Sequence, residues 1–251
     1  MLEPTLCTLI TGASSGIGRE VAVHLSKDRS LILHGRNADR LKETRDACAN
    51  PGRHLIWIYD LHNLATLAKS LASLLAKSVR GIEAVVHAAG MVTVLPMRAV
   101  DHQVAQEIMN VNFFSAVEII HVLLKKKVNA GHLVNIVFIS SIWSRFGAKG
   151  HSAYCASKAA LDGLMRALAV ELAPGTRVNS ILPGAIRTAM SETGFTDAAI
   201  VEKLKHDYPL GIGEPKDIAQ AVDFLLRQKA QWITGQEIVI DGGRSVNMSL
   251  T

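Results

Sequence analysis

Aromatic residues and cysteines are scarce in this chain, and uninterrupted apolar runs are short. Phe, Trp and Tyr together supply 5% of 251 residues, so any core must be built mainly from aliphatic side chains. Three cysteines, Cys7, Cys48 and Cys155, form no close pair, which argues against a disulfide framework or a zinc site and suits a reducing compartment. Cys7 lies in an apolar run and is expected to be a small core residue. No apolar run approaches the roughly 18 residues that suggest a membrane-spanning helix. Strand-like sequence starts by about Cys7, leaving no room for a signal peptide ahead of the fold. The expectation is a soluble, cytoplasmic protein. Linkers, low-complexity tracts and internal repeats are also missing, so residues 1–251 are read as one domain.

With 49% hydrophobic and 20% charged residues, disorder is not expected. A chain of this size buries roughly 70–75% of its unfolded surface. The formal charge of +5 would suit nucleic acid, a membrane or an acidic ligand, but the Lys and Arg residues are mostly scattered. The one tight cluster, Lys125-Lys126-Lys127, reads as a solvated helix end that complements the helix dipole. Its other reading is a docking patch for an acidic carrier. Neither nucleic acid nor membrane is expected as a partner.

Short apolar runs alternate with longer amphipathic stretches. Strands are expected at Cys7–Thr11, Leu31–His34, Leu55–Tyr59, Ala84–His87, Val134–Ser140, Val178–Leu182 and Ile238–Ile240. Several are nearly all apolar, as parallel strands covered on both faces require. Helices are expected over Ile17–Leu25, Asp39–Cys48, Leu64–Lys77, Val104–Lys127, Ser152–Leu172 and Asp217–Arg227. The fold class predicted is α/β, a Rossmann-type doubly wound, seven-stranded parallel sheet with helices on both faces. Only Pro183–Pro215 breaks the rhythm, with a short helix expected at Asp197–His206. An insertion after a strand's carboxyl end sits where such sheets bind ligands, and we read residues 184–215 as a substrate-covering segment.

Thr11-Gly12-Ala13-Ser14-Ser15-Gly16-Ile17-Gly18 joins the first strand to the first helix. Glycine lets the backbone turn tightly and approach a ligand, and the helix amino end offers N–H groups to a pyrophosphate. The second strand ends at His34-Gly35-Arg36-Asn37, with no acid to take a ribose hydroxyl. Arg36 can instead bind a 2′-phosphate, which favours NADP(H) over NAD(H). Asp60, followed by Leu61, ends the third strand and can accept from an adenine amino group or cap the next helix.

Tyr154 and Lys158 are four apart on a predicted helix and share one face. An ammonium beside a phenol is expected to lower its pKa, giving a proton donor or acceptor. Ser140-Ser141 closes the fifth strand, placing a hydroxyl where it can hold a substrate oxygen. Together with Asn112, Ser141, Tyr154 and Lys158 resemble the Asn-Ser-Tyr-Lys tetrad of the short-chain dehydrogenases/reductases. The resemblance extends over nearly the whole chain. Thr11–Gly18 is similar to that family's glycine loop, and His87-Ala88-Ala89-Gly90 to its Asn-Asn/Ala-Ala-Gly segment, with His87 in place of asparagine. Asn110-Val111-Asn112 matches the stretch bearing the tetrad asparagine. Pro183-Gly184, with Ile186 and Thr188 after it, resembles the segment that contacts the nicotinamide. Thr234-Gly235-Gln236 and Asp241-Gly242-Gly243 resemble the C-terminal signature.

The resemblance implies cofactor contacts from Gly12, Ser14, Ser15, Gly16, Ile17, Gly18, Arg36, Asp60, Leu61, Ala88, Ala89, Gly90, Tyr154, Lys158, Pro183, Gly184, Ile186 and Thr188, and no metal. It implies that Tyr154 gives a proton to a carbonyl oxygen and that Ser141 orients that oxygen. Lys158 would lower the Tyr154 pKa and hold the nicotinamide ribose; Asn112 would hold a water linking Lys158 to solvent. The activity implied is NADPH-dependent reduction of a ketone, of 3-oxoacyl-carrier-protein reductase type, in a homotetramer or dimer. The alternatives are an NAD-dependent alcohol dehydrogenase and a nucleotide-sensing protein without turnover. Specificity is expected from Thr93–Met97, Ile142–Gly150 and Met190–Tyr208, with Trp143 and Phe146 either lining an apolar pocket or packing in a core or interface. The stretch Pro209–Pro215 lacks an arginine common in the family.

Overall fold

A computed structural model describes residues 6–78, 81–188, 202, 204 and 206–247. Seven of the apolar runs become strands: β1 Leu6–Thr11, β2 Leu31–Gly35, β3 Leu55–Ile58, β4 Gly81–His87, β5 Asn135–Ile139, β6 Arg177–Pro183 and β7 Glu237–Ile240. All pair in parallel, in the order β3-β2-β1-β4-β5-β6-β7. The chain builds outward from β1 to β3, then returns to place β4 on the other side of β1. That reversal opens a crevice at the carboxyl ends of β1 and β4, the place where such sheets bind ligands.

The helices are α1 Gly16–Leu25, α2 Ala38–Ala47, α3 Leu64–Ser78, α4 His102–Met109, α5 Ser115–Leu124, a single turn α6 Lys126–Asn129, α7 Ser152–Glu171 and α8 Pro215–Leu226. They cover both faces of the sheet. Successive strand residues point to opposite faces, and β1 shows it directly. Leu9 packs in the layer built with Leu71 of α3, Ile119 of α5 and Leu161 of α7. Ile10 packs with Val21 of α1, Leu41 of α2 and Val222 of α8. Coverage of both faces explains why β2 and β5 are buried along their whole length.

The helix expected over Val104–Lys127 forms, carrying a π turn, Asn110–Phe114, between α4 and α5, and it ends at Leu124. Lys125 has extended backbone there, and Lys126 starts a separate turn, so only Lys125 sits at the end of the long helix. His102–Leu124 is long and apolar enough to cross a membrane, yet half of it is buried within the fold. Of the short helix expected over Asp197–His206, the described residues Glu202, Leu204 and His206 are helical; the rest of it, with most of Met190–Tyr208, lies outside the described residues. Cys7 and Cys48 are buried, and no disulfide joins the three cysteines.

Candidate active site

The first glycine turn has no room for side chains. Gly12 has φ +69°, and a Cβ there would lie 2.8 Å from the backbone of Ala89. A Cβ on Gly18 would lie 2.3 Å from the Gly12 carbonyl oxygen, so α1 rests directly on the turn. Gly16, at φ +53°, comes against Thr188, whose methyl would be 3.2 Å from an added Cβ. Ser15, at the N-cap of α1, makes no side-chain cap, and the first turn of α1 carries no acid. Ser14 and Ile17 are half-buried on the same turn. A backbone cradle with uncapped N–H groups fits the pyrophosphate of a dinucleotide.

The neighbouring strand ends close around that cradle. Gly35 approaches Ser14 so tightly that a Cβ would be 3.3 Å from the serine side chain, which sets Arg36 beside the turn. Arg36 is exposed, and its charge reaches Asp60. Asp60 accepts from the His62 N–H and lies 2.8 Å from His62 Nδ1. It therefore closes a turn ahead of α3, and its neighbour Leu61 is buried. Ala88, Ala89 and Gly90 follow β4 and lie opposite Gly12; Ala89 N–H donates to Thr11 Oγ1. Gly184 packs against Asp241 and the Tyr208 ring, whose hydroxyl accepts from Ala185 N–H at 3.1 Å. Ile186 bridges to Gly213, and this tie brings the segment after Pro183 back over the crevice.

The four tetrad side chains meet at one place. Ser141 stands just after β5 and N-caps the turn Ile142–Ser144, accepting from Trp143 N–H at 3.2 Å. Ser141 turns its hydroxyl toward the Tyr154 hydroxyl, near enough to act on the phenol's pKa. Lys158, one helical turn beyond Tyr154 on α7, holds its Nζ 5.7 Å from the Tyr154 ring centre and donates to the Ile139 carbonyl at 2.9 Å. A Cβ on Gly90 would lie 3.4 Å from Lys158 Nζ and 3.5 Å from Asn112 Oδ1, so lysine and asparagine flank that glycine. Asn112, fully buried in the π turn, accepts from Met91 N–H at 2.8 Å and donates to Met91 O and Ser157 Oγ. Both of its amide protons are used, and its oxygen accepts one hydrogen bond. π turns inside helices commonly mark functional sites, where one residue is pushed out of register.

Burial sets the protonation states here. It pushes the Tyr154 phenol up to about 12, with the Ser141 hydroxyl acting the other way. It pulls the Lys158 ammonium down to about 8, while Asp162 acts to raise it. The expected depression of the phenol is thus corrected: removal of the phenolate from water outweighs its stabilisation. His87 is likewise held neutral, at about 3, chiefly by burial. It lies 3.0 Å from Thr11 Oγ1 through Nδ1. Thr11 Oγ1, which accepts from Ala89 N–H, can give its own proton to Nδ1 or take one from it, according to the imidazole tautomer. Nε2 faces the Val111 and Asn112 carbonyls without completing a hydrogen bond. Imidazole in place of the family's asparagine therefore still braces the crevice.

Next to this cluster lies a cavity of about 380 Å³, lined by Ile142, Trp143, Phe146, Gly147, Tyr208, Arg244, Ser245 and Asn247. Trp143 stands edge-on to Tyr154, with ring centres 6.0 Å apart. Trp143 and Phe146 line this cavity together with the polar side chains of Arg244, Ser245 and Asn247. Thr93–Met97 joins this region through Leu95 N–H, which donates to the Gly150 carbonyl at 2.9 Å. Sequence reasoning missed Arg244, Ser245 and Asn247; they follow the Asp241-Gly242-Gly243 signature, and nothing in their spacing announces a pocket.

Known proteins resemble this chain in sequence and in fold. A family profile described as Enoyl-(Acyl carrier protein) reductase matches residues 12–245. The 3-oxoacyl-acyl-carrier-protein reductase FabG of Rickettsia prowazekii is 35% identical over 94% of this chain and 95% of its own. The D-erythrulose reductase of Gallus gallus is 30% identical over 96% and 98%. A structure of 4-hydroxyisoleucine dehydrogenase complexed with NADH superposes with a TM-score of 0.89 at 27% identity, covering 97% of this chain and 100% of the other. With its seven-stranded parallel sheet and nicotinamide-type crevice, the chain belongs to the short-chain dehydrogenase/reductase family and is an oxidoreductase acting on alcohol or carbonyl groups.

Proposed function

We propose that this protein is an NADPH-dependent reductase of ketones. The observation that carries the reading is the meeting of Tyr154, Ser141 and Lys158 beside the crevice that the glycine turn opens. Bound NADPH supplies the hydride. Ser141 Oγ holds the substrate oxygen, and Tyr154 Oη gives that oxygen its proton as the carbonyl carbon becomes an alcohol carbon. Lys158 holds the ribose and stabilises the phenolate left behind. With the Asn112 amide engaged by Met91 and Ser157, a water passing protons to Lys158 is held by the main chain of the π turn. Gly12, Ser14–Gly18, Ala88–Gly90, Pro183, Gly184, Ile186 and Thr188 line the dinucleotide, with Asp60 and Leu61 at the adenine.

Two features favour reduction with the phosphorylated cofactor. A tyrosine phenol is protonated at neutral pH, the state from which a proton donor starts. Arg36 supplies a guanidinium at the end of β2, where no acid excludes a phosphate. The FabG relative supports a 3-oxoacyl or similar ketone, and an acidic carrier would meet Lys125–Lys127. The reading places the enzyme in the cytoplasm as a tetramer or dimer. NADH bound to the 4-hydroxyisoleucine dehydrogenase favours the competing assignment, NAD-dependent alcohol oxidation. Steady-state assays with NADPH and NADH over a panel of 3-oxoacyl esters, diketones and ketoses separate the two. Faster turnover of alcohols with NAD than of ketones with NADPH would reject our reading, and background rates in both directions would point to a nucleotide sensor.

A further inference from the structure

The chemistry above leaves one buried carboxyl group unused, whose pKa burial raises while the hydroxyls around it act to lower it. Asp162 lies on α7 one turn beyond Lys158 and is 2% exposed. Ser140, the residue before Ser141, donates to Asp162 Oδ2 at 3.0 Å and lies 3.4 Å from the Lys158 carbonyl. Ser144, in the turn after β5, and Ser180, on β6, turn hydroxyls toward the same carboxylate without completing a bond to its other oxygen. A helix packs on a sheet more cheaply through an apolar residue, because a buried carboxylate costs several kcal/mol unless it is well compensated. Three serines gathered on one carboxylate next to the tetrad indicate a use for the charge.

The surrounding charges define that use. Among the groups acting on Lys158, Asp162 is the one that favours its ammonium. Tyr154 shares the helix, and His87 facing from β4 is neutral. On the far side of Asp162, Glu237 of β7 is engaged by Arg145 and Arg166.

We propose that Asp162 is a positioning residue of this site: its carboxylate is the counter-charge of the Lys158 ammonium and, through Ser140, ties the strand end carrying Ser141 to the helix turn carrying Lys158. This rests on the reductase reading for its catalytic arm and on cofactor binding alone for the other.

The test is Asp162→Asn, which keeps size and hydrogen bonding but removes charge. Its alkaline limb of kcat/KM for NADPH, expected where Lys158 of the free enzyme loses its proton near pH 8, moves down by about one unit. That displacement makes kcat/KM about eightfold lower at pH 8.5 and leaves it almost unchanged at pH 6. The rise of the NADPH Kd with pH, followed by nicotinamide fluorescence without substrate, moves by the same amount. A limb and a binding profile that both stay in place overturn the proposal, whatever happens to kcat or Tm. If the parent reduces no ketone, the reductase reading fails and the binding profile still decides the role of Asp162. Should Asp162→Asn not fold, Ser140→Ala cuts the tie but keeps the charge. It must then lower kcat with the limb unmoved; unchanged kcat or a shifted limb overturns the proposal.

Discussion

Replacing Arg36 with alanine should abolish the preference for NADPH while sparing NADH. Arg36 is exposed at the end of β2, and no hydrogen bond or ion pair engages its guanidinium among the described residues. Its removal should therefore cost the fold no more than about 0.5 kcal/mol, as for other surface changes. A hydrogen bond to a charged group contributes about 1.5–3 kcal/mol. Solvent screening at this exposed position places the 2′-phosphate contact near the lower half of that range. A loss of about 2 kcal/mol corresponds to roughly a 30-fold rise in the NADPH Kd. The NADH Kd should change by less than about twofold, because NADH offers no phosphate there. Fluorescence titrations of parent and variant with both nucleotides measure this. Raising salt should weaken NADPH binding to the parent more than to the variant, since the removed contact is exposed and electrostatic. Equal losses for NADPH and NADH would show that Arg36 does not read the phosphate, and the cofactor assignment would fail with it.

Other consequences follow from the same geometry. Tyr154→Phe should lower kcat by roughly 10²–10⁴-fold, the usual worth of a positioned proton donor, with the NADPH Kd nearly unchanged; full activity would remove the phenol from the chemistry. Gly18→Ala drives a Cβ to 2.3 Å from the Gly12 carbonyl, so thermal denaturation should show a loss of about 1–3 kcal/mol and dinucleotide binding should weaken; an unaltered Tm with intact binding would contradict the cradle. Acid should destabilise the fold through two buried imidazoles, because His34 is held at about 4 and His87 at about 3 against 6.5 for the free side chain. The unfolded chain binds these protons first, so stability is complete above pH 6.5. It falls by up to about 1.4 kcal/mol per pH unit per histidine, toward pH 4 for His34 and pH 3 for His87. Replacing His87 with asparagine should make Tm less dependent on pH between 6 and 4.5, and an unchanged slope would show that His87 titrates normally.

The seven strands were legible because parallel strands covered on both faces carry nearly unbroken apolar runs, as Leu31–Gly35 and Asn135–Ile139 do. Glycines announced the first turn because only they tolerate the approach of Ala89 and of α1. The Tyr154–Lys158 spacing needed only the pitch of a helix. These features depend on local conformation and on which face is buried, and both are written in residue order.

Contacts between distant residues decided the rest. Periodicity continues smoothly through Asn112, yet the helix widens into a π turn there, where Asn112 clamps the backbone of Met91, 21 residues earlier. Neighbour chemistry predicted a depressed phenol, but the depth at which the fold sets Tyr154 raises it, because desolvation depends on everything packed around the group. Arg244 joins Trp143 around one cavity only because β7 lies beside β6 and delivers the chain there. Residue order thus specified the elements and the reactive side chains, while burial and long-range contact, which exist only once the sheet is assembled, specified their register, protonation and pocket.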